Sequence, residues 1–139
     1  MNQTAIFWPM MAHVLLVYIV YGVMGKRRYG AVHSREARVD QFKGRTDEPA
    51  SSVTAANNLL NQFELPVLFH VLCLALYVTN GVNYLTLVLM WLFILTRYVH
   101  AFVHLTGNTV MVRSRLFMVG ALILAICWIW FALHIAGIV

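Results

Sequence analysis

Charge is scarce in this chain, and acids and cysteines are scarcer still. Of 139 residues, 11% are Asp, Glu, Lys or Arg, while 61% are hydrophobic. A soluble domain of this size has no use for so much apolar surface, which excludes that class. Only two cysteines are present, Cys73 and Cys127, both deep in apolar segments, and they read as two buried apolar thiols. No internal repeat or low-complexity tract is present. Five acids against ten Lys and Arg leave a net charge of +5. That excess does not point to nucleic acid, because all the Lys and Arg residues but Arg97 fall in two short segments, Lys26–Arg45 and Arg113–Arg115.

What is present is four long apolar runs, each of the length a membrane helix requires. The fold class read from them is an all-α integral membrane protein, a four-transmembrane-helix bundle in a single domain, 1–139. The predicted helices cover about residues 6–25, 54–78, 84–106 and 115–138, with a polar loop at 26–53. The first run has no basic residue before it and no small-residue cleavage site after it, so it reads as a retained helix. Thr79–Asn83 reads as a tight turn with Gly81 supplying the positive φ, which makes the second and third helices an antiparallel hairpin. Pro66 is expected to bend the second helix. Both basic segments sit in loops on one side, while the other loop and both termini lack side-chain charge. The positive-inside rule then places the termini outside the cytoplasm.

All but four charged residues lie between Lys26 and Glu48; the four are Glu64, Arg97, Arg113 and Arg115. Glu64 and Arg97 stand inside apolar runs, where a charge is expensive and marks a function or a partner. Asn57, Asn61 and Glu64 follow i, i+4, i+7 spacing on one helical face. Arg97, His100 and His104 follow i, i+3, i+7 spacing on another. In an antiparallel hairpin the two stripes share one depth, and Glu64 is expected to pair with Arg97. The residues alone leave several readings open. The pair can be a structural salt bridge, with Asn and His as interhelical glue. His100 and His104 have a metal-chelating spacing, so a metal or haem site is a second reading. A proton-coupled transporter built on Glu64 is a third. His13, His70 and His134 read as lone core or interface histidines.

Two segments carry a family resemblance. Asn57-Asn58-Leu59-Leu60-Asn61-Gln62-Phe63-Glu64-Leu65-Pro66 is close to an Arg-x-x-x-Asn-x-x-Glu motif followed by Pro. Arg97-Tyr98-Val99-His100, then His104-Leu105 and Arg113-Ser114, line up with Arg-x-x-His-x-x-x-Tyr-Leu and a later Arg-Ser. These motifs resemble the MAPEG family, the membrane-associated proteins in eicosanoid and glutathione metabolism. Pro66 stands closer to Glu64 than in the mammalian enzymes, and the chain resembles a bacterial-type member of an inner membrane.

The resemblance implies a homotrimer, with glutathione bound between subunits near the cytoplasmic face. It implies that Asn61 and Glu64 hold the peptide, Glu64 through the ammonium, and that His100 is a hydrogen-bonding wall. Asn57, Arg97 and His104 complete the implied glutathione-binding set. Arg113, with Ser114, would stabilise the thiolate, since a cationic neighbour lowers a thiol pKa. Two positions depart from the family pattern. Asn57 replaces an Arg that clamps a carboxylate, and His104 replaces a Tyr; Lys26–Arg28 could supply the missing charge.

The implied activity is a glutathione- or thiol-dependent transferase or peroxidase acting on a lipophilic electrophile. Its implied partners are other copies of itself, membrane lipids and a lipophilic small molecule, with no nucleic acid. The alternative is a non-enzymatic lipid-binding protein or an accessory subunit of a larger membrane complex.

Overall fold

A computed structural model describes residues 1–44 and 47–139; Arg45, counted above in the first basic segment, lies outside them. Five helices build the bundle: α1 (Phe7–His33), α2 (Ala50–Asn61), α3 (Leu65–Val78), α4 (Tyr84–Leu105) and α5 (Val110–Ile135). Stacked end to end, α2 and α3 form one span, so among the described residues four segments are long and apolar enough to cross a membrane. Large apolar side chains cover the outside, among them Leu15, Leu68, Leu95 and Leu122. An outward apolar coat is what a lipid solvent requires.

The bundle has a turn end and a loop end. At the turn end, Gln3 clamps the chain start onto the α3–α4 turn: its amide donates to Val82 O at 3.1 Å and accepts from Val82 N at 3.0 Å. Asn83 caps α4 by accepting from Thr86 N, and the Thr86 hydroxyl accepts from Asn83 N in return. The positive φ of this turn belongs to Asn80, at 55°, and not to Gly81 as the sequence suggested. Gly81 is needed for space instead: a Cβ there would sit 2.7 Å from the His134 ring.

At the loop end, α1 runs eight residues past the Gly25 boundary expected from the apolar run. Basic residues end a hydrophobic run without ending a helix when they find acceptors. Arg27 does so twice, donating to the Thr54 hydroxyl at 2.7 Å and to Leu105 O at 2.6 Å, which ties α1 to α2 and α4. Arg28 makes a bidentate pair with Glu48 at 2.9 and 2.7 Å, and Glu48 also accepts from the Ser52 hydroxyl. The Arg28 hydrogen bonds hold the Glu48 carboxyl below its usual pKa.

Inside the bundle an apolar cluster fills the turn end, centred on Phe69 and Phe93, whose stacked rings are 5.0 Å apart. Cys73 and Cys127 lie there as free buried thiols. A layer of buried polar side chains, His13, Asn58, Gln62, Arg97, His100 and His104, follows towards the loop end. Between α2 and α3 the helix breaks at Gln62–Glu64, where Pro66 opens α3 and Glu64 adopts φ −96°, ψ −102°. A proline near the start of a helix leaves no intrahelical donor unpaired, so a break here suits Pro66 better than the expected bend.

That break removes the expected ion pair. Glu64 caps α3 with its side chain exposed, and Arg97 is 1% exposed with no hydrogen bond from any guanidinium nitrogen. Non-helical backbone at residues 62–64 turns Glu64 off the face that continues from α2, so the two charges never meet.

Candidate functional site

The sequence stripe on the second span divides three ways. Asn61 enters a cleft of about 270 Å³ lined also by His100, Val110, Arg113, Ser114 and Phe117. Asn57 is exposed and borders a separate cavity of about 290 Å³ at the loop end, beside Arg28, Lys43 and Glu48. Glu64 stays at the helix break. Facing inwards instead are their neighbours Asn58 of α2 and Gln62 at its C-cap, both buried and hydrogen-bonded to one another at 2.8 Å. Sequence reasoning passed over both, although their i, i+4 spacing makes an equally regular stripe.

Three helices supply the cleft. α2 ends beside it with Asn61, α4 contributes His100, and the first turns of α5 contribute Arg113, Ser114 and Phe117. The α4–α5 connection aims Arg113. Asn108 takes a left-handed φ of 45°, which a short amide side chain tolerates. Its Oδ1 accepts from Arg113 Nη1 at 2.6 Å. One arm of the guanidinium is thereby fixed, and its remaining donors are free to serve a ligand.

Behind the cleft stands a second cation. The Arg97 guanidinium is covered by the rings of Phe93 and Phe117, whose centroids are 5.6 and 5.4 Å away. Gly120 makes room for it: a Cβ there would approach Thr96 Oγ1 at 2.8 Å and Arg97 Nη2 at 3.1 Å. Neither Arg97 nor His104 has a hydrogen-bond partner, and His100 Nδ1 is likewise buried and unpaired. The His100 and His104 rings meet edge to face at 5.9 Å. Arginine cannot shed its proton, so Arg97 and Arg113 give the cleft a standing positive potential. No carboxylate lines it. A metal cation is poorly matched to such a place. Among the described residues, no cluster of three His, Cys, Asp or Glu side chains could hold one.

The remaining histidines are not all solitary. His13 and His70, read as lone residues, bond to each other at 3.0 Å, and His134 bonds to Thr79 O at 3.2 Å.

The fold and the cleft together define a four-span membrane protein with a cationic cleft near the loop end of the bundle. The sequence profile of the MAPEG family matches residues 6–133, a stretch that contains all four helical spans' cores and every cleft residue. The chain belongs to the MAPEG family, membrane proteins of glutathione and eicosanoid metabolism. No curated protein and no solved structure matches it.

Proposed function

We propose that the cleft binds the thiol tripeptide glutathione and that the protein is a thiol-dependent transferase or peroxidase acting on a lipophilic electrophile. The observation that carries this reading is the convergence of Asn61, His100, Arg113 and Ser114 on one cleft that contains two arginines' charge and no acid. An anionic ligand relieves the uncompensated charge of Arg97, which is costly while buried alone. Arg113, at the first turn of α5, is the group that stabilises the thiolate, with Ser114 as a hydroxyl donor beside it. The thiol proton leaves to water at the loop end. In transfer the thiolate sulfur bonds the electrophilic carbon as that carbon's leaving group departs with the bonding electron pair. In peroxidation two glutathione thiols are oxidised to the disulfide as one hydroperoxide is reduced to alcohol and water. Asn61 and His100 are hydrogen-bonding walls for the peptide. Arg97 and His104 act from behind, by charge and by packing.

A homotrimer completes the proposal. Glu64 and Asn57 are exposed on the second span, and exposed polar groups in an apolar coat find partners in assembly. A neighbouring copy gives Glu64 access to a bound ammonium. Both basic segments lie at the loop end, since Arg27 joins α1 to the last residue of α4 there. This supports a cytoplasmic loop end with both termini outside, and residence in a bacterial inner membrane is proposed on the family resemblance alone.

Thermal unfolding in detergent, titrated with glutathione, tests the reading, because a ligand of the native state raises its stability. A concentration-dependent rise that is lost in Arg113→Ala is expected. No rise at millimolar glutathione overturns it in favour of a non-enzymatic lipid-binding or accessory protein.

A further inference from the structure

A third cavity opens on the outer surface of the subunit between α1 and α3. It measures about 350 Å³ and is walled by Tyr18, Tyr21, Phe63 and Val67, with His13, Gln62 and His70 at its floor. Its polar floor lies well inside the membrane: His13 is ten residues, or roughly 15 Å at 1.5 Å per residue, from the start of its span. Ring nitrogens at that depth are expensive unless satisfied.

The hydrogen bonds of this floor run in one direction only. The Ala101 carbonyl can only accept, so the atom of Asn58 that meets it at 3.0 Å is the amide nitrogen. Asn58 Oδ1 therefore faces Gln62 and accepts from Gln62 Nε2 at 2.8 Å. That leaves Gln62 Oε1 to accept from His13 Nε2 at 3.2 Å. A neutral His13 with its proton on Nε2 has a bare lone pair on Nδ1. His70 Nε2 must then donate to it, across 3.0 Å. The proton of a neutral His70 is thus committed inwards, and its Nδ1 is left as a lone-pair acceptor with no hydrogen-bond partner among the described residues. His70 is only half-buried and lines the cavity.

We propose that this cavity is a binding site for a neutral lipophilic molecule carrying a hydroxyl group, an alcohol or phenol, whose O–H donates to His70 Nδ1. The aromatic and aliphatic walls take the apolar body. The fixed direction of the chain, from His70 to Ala101 O, discriminates in favour of a donor and against an ether, ketone or ester of the same shape. The site uses none of the side chains assigned to the thiol cleft and stands whether or not glutathione binds there.

The test uses the full-length protein in phosphatidylcholine nanodiscs, with a diazirine-bearing dodecanol as the photolabel and its methyl ether as the control. Labelled positions are mapped by peptide mass spectrometry. The alcohol is expected to label the Tyr18–Tyr21 and Phe63–Val67 segments roughly three- to tenfold more than the ether, the effect of one hydrogen bond. In His70→Phe, which keeps a ring and loses the acceptor, the two probes should label equally. Equal labelling in the wild type overturns the proposal and leaves an unselective lipid groove. Absence of labelling in both segments also overturns it, since the groove is then covered by a second copy. A preference that survives His70→Phe overturns it as well. Should His70→Phe not fold, the wild-type comparison decides alone.

Discussion

Asn108 holds Arg113 through a 2.6 Å hydrogen bond from one turn of chain to the next helix. The contact links the residue of left-handed φ in the α4–α5 connection to the cation that faces the cleft. Asn108→Gly keeps the left-handed backbone accessible and removes the anchor. Glutathione affinity should fall by about tenfold or more in this variant, since hydrogen bonds to charged groups contribute about 1.5–3 kcal/mol. Calorimetric titration measures it. An unchanged affinity would show that Arg113 needs no such anchor.

Arg97 makes a prediction of unusual sign. Breaking a buried ion pair destabilises a protein by about 3–5 kcal/mol, whereas replacing an unpartnered buried charge by an apolar side chain is neutral or favourable. Among the described residues Arg97 has no hydrogen-bond or carboxylate partner, only the rings of Phe93 and Phe117. Arg97→Met should therefore hold or raise the melting temperature of the ligand-free protein while weakening glutathione binding. A sharp loss of ligand-free stability would mean that a carboxylate, Glu64 of a neighbouring copy first among candidates, reaches Arg97.

Gly120 is the cheapest position at which to disturb Arg97. An added methyl would meet Thr96 Oγ1 at 2.8 Å and Arg97 Nη2 at 3.1 Å. Gly120→Ala should cost about 1–3 kcal/mol by overpacking, a penalty that offsets any gain in helix propensity. In the Arg97→Met background the cost should shrink, because a flexible thioether yields where a wedged guanidinium does not. Thermal melts of the two singles and the double give the coupling.

The Arg28–Glu48 pair makes the loop end sensitive to acid. The folded carboxyl of Glu48 sits below its unfolded pKa, so the pair's contribution is complete above the unfolded value, about 4.3. It is lost as pH falls through the lower folded value. Wild type should lose more stability than Glu48→Gln between about pH 5 and pH 3. Parallel acid-melting curves would rule the pair out as a contributor.

Much of the fold was legible because charge was confined. A chain that collects all its Lys and Arg but Arg97 in two segments announces four spans and their ends. The face of the second span was not legible. Asn57, Asn61 and Glu64 make one regular stripe and Asn58 and Gln62 another, rotated by about 100°. Nothing in a single sequence chooses between them. The choice is made by packing, where Asn58 finds the Ala101 carbonyl and Gln62 finds His13. Pro66 signalled an irregularity, but a bend and a break have the same signature, and only the break turns Glu64 outwards. By contrast His100, Arg113 and Ser114, which the family resemblance names together, do line one cleft. Helix 4 of the bundle is unbroken from Tyr84 to Leu105, and a fixed loop carries its register into α5.

The most direct test of the thiol reading is the ultraviolet absorbance of glutathione thiolate in the protein's presence. Wild type at millimolar glutathione should show a thiolate band at neutral pH, Arg115→Ala should keep it, and Arg113→Ala should lose it. A wild type without the band, or an Arg113→Ala variant that retains it, would contradict the assignment of Arg113 as the thiolate-stabilising group.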